Sequence, residues 1–581
     1  MWVGCLRCWV AWRMLAGMCL RTIQRRNKNG TVTRYVQLAH NVRHPGSGNS
    51  VAKVLHSFGR EDQLDRDALA ALVASINRYL GVDDTGPQTD DVVEPVSADA
   101  PAPLGFVTAR RLGGVWTLDG LWHRLGVTAT LRTLAGDRRF TVDVERVIFA
   151  LVANRALEPT SKLAATRWVA ERAWVPGLKQ VSDDACYRAM DWLLAVHDEL
   201  AERVYWATAD LLNLEVDLLF FDTTSTYFET DTADPPGDTD DGQVSVGFRA
   251  YGHSKDHRAD LPQIVIGMAV TRSGIPIRVW TWPGDTGESP LIRQVKDDLR
   301  AWKLSRVVWV TDRGFASAEN RRYLQRAGGH YICGEKLRGD SEEAAAALAR
   351  QGRYRTVAGN LRVKQVVIDD GVMRDRFVIC HNPEAAVRDK TVRDQLVARL
   401  AEAIADTDRL EPDQRAAAAA KLPAGLRRFL RTTASGKLRV DRAAVAAEAR
   451  LDGKFLLRTS DPTLSAEDVA LGYKQLLEVE RGWRDMKSTL DLRPIFHRLE
   501  DRIRAHVILC WLALLLIRVA ETRTGDTWRN LRHELDRCHL GEFTGNTGRV
   551  LQRTDLTDEQ QAILDALDVR PPPRFLNITP A

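Results

Sequence analysis

Acidic side chains are missing from residues 1–60, which carry ten Lys and Arg between Arg7 and Arg60. The net charge of +5 over 581 residues therefore conceals a remainder of 521 residues that sums to −5. A basic arm without acids suits a polyanion, either a phosphate backbone or an anionic membrane surface. The membrane alternative is short of apolar length. The run "VILCWLALLLI" at 507–517 has eleven residues, where a span needs about twenty, so it is expected to be a buried core helix. The opening stretch "MWVGCLRCWVAWRMLAGMCL" is apolar, but Arg7 and Arg13 interrupt it and the leading positive cluster of a signal peptide is absent. Residues 1–20 are expected to be a dispensable extension, with Met18 as an alternative start.

Cysteine is equally sparse. Eight residues, at 5, 8, 19, 186, 333, 380, 510 and 538, are too scattered for a disulfide framework and fit a reducing cytosol. Cys5-x-x-Cys8 has no second pair nearby, and "HELDRCH" at 533–539 is expected to be a C-terminal helix with incidental His and Cys. There is no internal repeat. With 44% hydrophobic and 27% charged residues the chain is globular and long enough for several cores.

The chain divides by pattern. Residues 21–82 form a basic β/α unit closed by a helix over "EDQLDRDALAALVASINRYL" at 61–80. Residues 83–103 are acidic, Pro-containing and aperiodic, as in a linker. Residues 104–213 are expected to be mostly helical, a block between the basic arm and a strand-rich core that could grip DNA, though nothing in it names a recognition helix. From 214 to 340, β-type runs bounded by Gly, Pro and Asp dominate, among them "VDLLFFDTTSTYF", "LPQIVIGMAVT", "IPIRVWTW" and "RVVWVTDRG". Residues 341–453 break that rhythm with Ala/Arg-rich helical sequence, an inserted subdomain. Strand character resumes in "KFLLRTS" within 454–525, and 526–581 is expected to be a helical region and tail. The fold class is α/β, an α+β multi-domain chain in which a mixed sheet is flanked by helices and split by the insertion.

Two hydrophobic strand runs end in an acid, Asp222 after "LLFF" and Asp312 after "VVWVT". The end of a buried strand is where side chains emerge into a crevice. A third acid, Glu480, lies on the helix expected over "GYKQLLEVERGWRDMKSTL". There Tyr473, Glu480 and Lys487 recur every seven residues, which brings each back to within about 20° of the last, on one stripe. If Asp222, Asp312 and Glu480 converge, each like-charged pair at about 4 Å costs on the order of 4 kcal/mol, and only divalent cations would neutralise them. Hard oxygen ligands favour two Mg²⁺, with Mn²⁺ as a substitute, over zinc. Two such ions serve phosphodiester chemistry.

These residues resemble a known family. The helix is similar to the Y-x2-R-x3-E-x6-K signature of bacterial insertion-sequence transposases with a DDE catalytic domain, with Tyr473, Glu480 and Lys487 on its Y, E and K. "DTTSTYFE", "YGHSKDHRADLPQIVIGMAV", "VTDRGFAS", "YICGEKLR" and "RPIFHRLEDRIRAHVILCWLAL" also resemble that group's core blocks. The resemblance covers about 216–336 and 454–520. It implies a ribonuclease-H-like fold with an insertion before the catalytic Glu480. It also implies phosphate contacts from Tyr473 and Lys487, a synaptic homodimer, and DNA as partner, both the element's terminal inverted repeats and the target.

The signature arginine is replaced by Leu476, and Arg484, at i+4 from Glu480, is the expected stand-in. Residues 337–453 contain no Trp, so no base-trapping role is carried over to the insertion. The polar loop "YGHSKDHRADLP" either holds DNA and supports Asp222 or is a solvated loop. The function implied is a cytoplasmic, nucleoid-associated DNA transposase that cleaves at the element's ends and joins 3′ ends to target DNA. The alternatives are a catalytically inactive derivative and a nuclease without strand transfer.

Overall fold

The structure is a computed structural model that describes residues 18–26, 32–43, 50–60, 104–214, 218–238, 244–245, 247–302, 304, 306–339, 341–369 and 374–580. Residues 1–17 of the extension expected at 1–20, the helix expected at 61–80 and the linker expected at 83–103 lie outside the described residues, while 18–20 of that extension belong to the first strand. The chain forms two compact units, 1–100 and 101–581.

In the first unit, β1 (Met18–Arg26), β2 (Val32–Arg43) and β3 (Ser50–Arg60) make an antiparallel sheet with β2 in the middle, Thr22 facing Val36 across the first pair. The second unit begins with β4 (Gly105–Arg111) and continues through helices to β5 (Leu218–Tyr227). The short pair β6 (Gly237–Asp238) and β7 (Val244–Ser245) comes next, then β8 (Gln263–Thr271), β9 (Pro276–Pro283), β10 (Val308–Thr311) and β11 (His330–Glu335).

β5, β8 and β9 form an antiparallel meander, and β10 and β11 continue the sheet on the other side of β5, parallel to it. The helices Leu291–Arg300 and Ala318–Gln325 make the crossovers that parallel pairing requires. β8 is buried at every position and β10 at all four, as expected of strands covered on both faces. Phe220 and Phe221 on β5 are 0% exposed, each contributing roughly 1.5–3 kcal/mol by burial. This is the mixed sheet flanked by helices that the family resemblance implied.

The insertion is only partly a separate subdomain. β12 (Arg355–Ala358), β13 (Leu361–Asp369) and β14 (Arg374–His381) extend the same sheet, which reads β12-β13-β14-β17-β11-β10-β5-β8-β9 among the described residues. The remainder is helical, with a hairpin of β15 (Leu430–Thr432) and β16 (Leu438–Val440), and packs a small core of its own around Leu400, Phe429 and Leu438. β17 (Lys454–Thr459) then returns to the sheet antiparallel to both β11 and β14.

Two other expectations change. The helices of 113–212 share one apolar core with the sheet. Trp528 Nε1 donates to Ala156 O at 2.9 Å, and Arg155 donates to Leu490 O at 3.3 Å. The region 526–581, expected to be helical with a tail, carries β18 (His539–Gly545), β19 (Gly548–Arg553) and β20 (Phe575–Pro580) beside the helices Trp528–Leu535 and Asp558–Ala566. A tight turn between Gly545 and Gly548 closes the β18–β19 hairpin, and β18 takes β4 as its other neighbour. That partner lies more than four hundred residues back in the chain, so the pattern around "GEFTGNTGRV" alone left it open.

The apolar run at 507–517 lies in the helix Glu500–Thr524, whose most apolar window is 94% buried inside the structure. It is a core helix, as expected, with Arg518 inside it paired to Asp485 and Glu521.

Candidate catalytic site

Phe221 on β5 and Thr311 on β10 face each other across the parallel pair. One residue further on are Asp222, within β5, and Asp312, just past the end of β10. Neighbouring strands lie about 4.8 Å apart, so the two acids follow the last paired residues of adjacent strands, near enough for the Asp312 charge to act on Asp222. β10 ends at Thr311, and Asp312 opens the turn Arg313–Phe315, with Phe315 N donating to Asp312 O at 3.0 Å. β5 does not end at Asp222. It runs on through Tyr227, paired with β8, because "TTSTY" is itself good strand sequence. Asp222 therefore emerges where its β10 neighbour stops, mid-strand.

Burial, with Glu288 and Asp312 nearby, pushes the Asp222 carboxyl up to about 6, against the pull of Lys255 and a backbone hydrogen bond from Thr223. The Lys255 ammonium stands 3.7 Å from Asp222 Oδ1 and 3.2 Å from Glu288 Oε1, and donates to Thr223 O at 2.6 Å. Asp312 accepts a hydrogen bond at 3.1 Å from the Tyr473 hydroxyl. That hydroxyl is held protonated, first by burial and then by the charge of Asp312 beside it. Tyr473 stacks on Phe455 at 6.3 Å, and the missing side chain of Gly334 makes room for it: a Cβ there would stand 2.5 Å from the Tyr473 oxygen.

Tyr473 and Glu480 do not share one helix. The first, Ala466–Lys474, starts with a capping box at Ser465 and Asp468; the second runs Leu477–Ser488. Between them, Gln475 and Leu476 form a tight turn in which Glu478 N and Val479 N reach back only three residues. Leu476, at the arginine position of the signature, is 8% exposed and packed in the core, so the break turns that position inward.

On the second helix Val479, Gly482, Trp483 and Met486 are buried, which leaves Glu480 and Arg484 exposed and Lys487 half-buried on the other side. Lys487 donates to both oxygens of Asp256, at 3.0 and 3.2 Å, and Arg493 reaches the same carboxylate at 2.7 Å. Burial lowers the Lys487 ammonium, and Asp256 opposes this.

The structure thus joins Asp222 to Asp312, Tyr473 to Asp312, and Lys487 to the residue next to Lys255. It does not bring Glu480 to the two aspartates: among the described residues no three His, Cys, Asp or Glu side chains meet at metal-ligating spacing. Arg484 lines a groove of about 380 Å³ with Arg481, Arg529 and Arg532. Arg481 is engaged by Glu521 at 3.0 Å, whereas Arg484 has no ion-pair partner among the described residues. A second groove, of about 560 Å³, opens beside Asp312 and Tyr473 and is lined by Arg313, Lys336, Arg338 and Lys454.

Sequence reasoning missed Glu288. It sits in a turn, "PGDTGESP", after β9, with no hydrophobic run to announce it. Its signal is only that an acid falls in a Gly-rich turn at a strand end.

The family model described as the IS1634 family transposase N-terminal domain matches residues 20–88, and that of the transposase DDE domain matches 225–516, half of the chain. The second match contains Asp312 and Glu480 and begins three residues after Asp222. No curated protein matches the chain. Among solved structures it is similar to the cryo-EM structure of a piggyBac transposase synaptic complex with hairpin DNA, at 10% identity, a TM-score of 0.34, and coverage of 73% of this chain and 79% of that one. By the two domain matches, one to the arm and one spanning half its length, the chain belongs to the insertion-sequence transposases with a DDE domain.

Proposed function

We propose that this transposase binds the terminal inverted repeats of its own element, cleaves DNA at the ends and joins the 3′ ends to target DNA. Asp222, Asp312 and Glu480 would hold two Mg²⁺, with Mn²⁺ as a substitute. The observation that carries the reading is that Asp222 and Asp312 directly follow the paired residues Phe221 and Thr311 of two adjacent parallel strands, with the Tyr473 hydroxyl bonded to Asp312.

The chemistry of these residues suits a divalent ion, although among the described residues no three of them are gathered at ligating spacing. Asp222 is crowded by Glu288 and Asp312 and carries a carboxyl displaced to about 6, a set of hard oxygens whose repulsion a dication relieves. When bound, such ions activate a water or 3′-hydroxyl and stabilise the leaving oxygen. The chain's own residues do the rest. Tyr473 fixes the orientation of Asp312. Lys487, Arg484 and the cations lining the groove beside Asp312 bind phosphates, which positions the strand without reading its sequence. Glu480, exposed on its helix, would have to move toward the aspartates for the three to share ions. A homodimer would bring two ends together, and the protein would act on the nucleoid in the cytoplasm.

The test is cleavage of a DNA fragment carrying the element's ends. Asp222→Ala, Asp312→Ala and Glu480→Ala should each abolish Mg²⁺-dependent cleavage while end binding persists; normal cleavage by any of the three refutes the assignment. The separation of Glu480 from the aspartates favours a second reading, an end-binding protein of this family that does not cut. Mg²⁺-dependent nicking by the unaltered protein excludes it, and joining of a cut end to a plasmid excludes a nuclease without strand transfer.

A further inference from the structure

The loop between β7 and β8 is pinned to β5, with Lys255 N donating to Ser225 Oγ at 2.9 Å. This gives the Lys255 ammonium two hydrogen-bond acceptors, Thr223 O at 2.6 Å and Thr223 Oγ1 at 3.0 Å, and an ion pair with Glu288 Oε1 at 3.2 Å. Asp222 Oδ1 is 3.7 Å away, an ion-pair distance too long for a hydrogen bond. Two of the ammonium's three protons go to Thr223, and of its two carboxylate neighbours Glu288 is the nearer. Lys255 therefore compensates the charge of Asp222 without occupying its lone pairs.

We propose that Lys255 is a positioning residue, a counter-ion held just off Asp222 by Glu288 so that the Asp222 oxygens stay open to an incoming divalent cation. Glu288 does this by offering the ammonium a closer anion. Without it, Lys255 closes onto Asp222 and competes with the metal. This rests on the reading of Asp222 as a metal ligand, and the experiment separates the two.

The experiment is titration of the full chain with Mn²⁺ alone, free metal being followed by its paramagnetic resonance signal. Asp222→Ala should remove the tightest site. If it leaves Mn²⁺ binding unchanged, the metal reading falls and the inference with it. Glu288→Gln should weaken that site at least about fivefold, the lower bound for a charge pair at about 4 Å in a high dielectric, and Glu288→Asp should restore it. Lys255→Met should tighten the site.

The decisive comparison is Glu288→Gln made in the Lys255→Met protein, where it should have no further effect. An equal loss in both backgrounds means that Glu288 acts through its own charge, and no loss in either means that it does not act at all. Both results overturn the inference while leaving Asp222 as a ligand. Thermal unfolding of each variant confirms that the compared proteins are folded.

Discussion

Replacing Asp222 by Asn is expected to stabilise the protein in EDTA while removing its cleavage. The Asp222 carboxyl sits at about 6 instead of its ordinary 3.8, chiefly because burial disfavours the ionised form. For an acid raised by folding, the fold loses nothing below the unfolded value. It pays progressively as pH rises from that value through the folded one. A displacement of about two pH units amounts to about 3 kcal/mol once both states are ionised, and to about 1 kcal/mol at pH 4.5 by the same linkage. Asn keeps the shape, needs no counter-charge, and leaves Lys255 on Glu288 and Thr223.

Unfolding entropy is about 2.1 cal/mol/K per residue, so the roughly 480 residues of the second unit shift their midpoint by about 3 °C at pH 8. The assay is differential scanning calorimetry of Asp222→Asn against the unaltered protein at pH 4.5 and pH 8. A gain that shrinks to about 1 °C at pH 4.5 agrees with the linkage. An equal gain at both pH values, or a loss at pH 8, would refute the argument that desolvated charge at this position is held at the expense of stability.

Three further outcomes rest on the same contacts. Gly334→Ala places a Cβ 2.5 Å from the Tyr473 oxygen and should detach Tyr473 from Asp312. This should lower the cleavage rate about 10- to 100-fold, the scale of a lost hydrogen bond to a charged group. Tyr473→Phe should match it in a gel cleavage assay, and a Gly334→Ala protein of full activity would show that the bond is idle. Asp256→Ala leaves Lys487 and Arg493 without their shared partner and should cost about 2–3 kcal/mol in urea unfolding, as breaking a mostly buried ion pair does. Lys487→Gln should lower the slope of log affinity against log salt by about 0.9 for DNA ends, one phosphate contact; an unchanged slope removes Lys487 from the interface.

Locally patterned features were readable from the order of the amino acids alone. Asp222 and Asp312 stood out because each comes after a hydrophobic strand run, and burial of such strands is a property of a few consecutive residues. The core character of 507–517 was legible from the length of its run, but the single stripe of Tyr473, Glu480 and Lys487 expected from helical spacing was not formed, because Tyr473 lies on a separate helix. Whatever depends on which distant segments meet was settled only in the folded chain. The turn at Gln475–Leu476, where the signature arginine is lacking, divides one expected helix into two. The insertion adds three strands to the central sheet. β4 finds its partner in the last part of the chain, where a tail was expected. Lys255 and Glu288 meet beside Asp222 from two separate loops. Strand pairing and charge pairing join residues far apart in the chain, and their energy arises from the contact made and not from the pattern of either segment. The pairing of β5 with β10 that brings Asp222 and Asp312 to the same end of adjacent strands, and the loops that bring Lys255 and Glu288 to Asp222, could be known only from the tertiary structure.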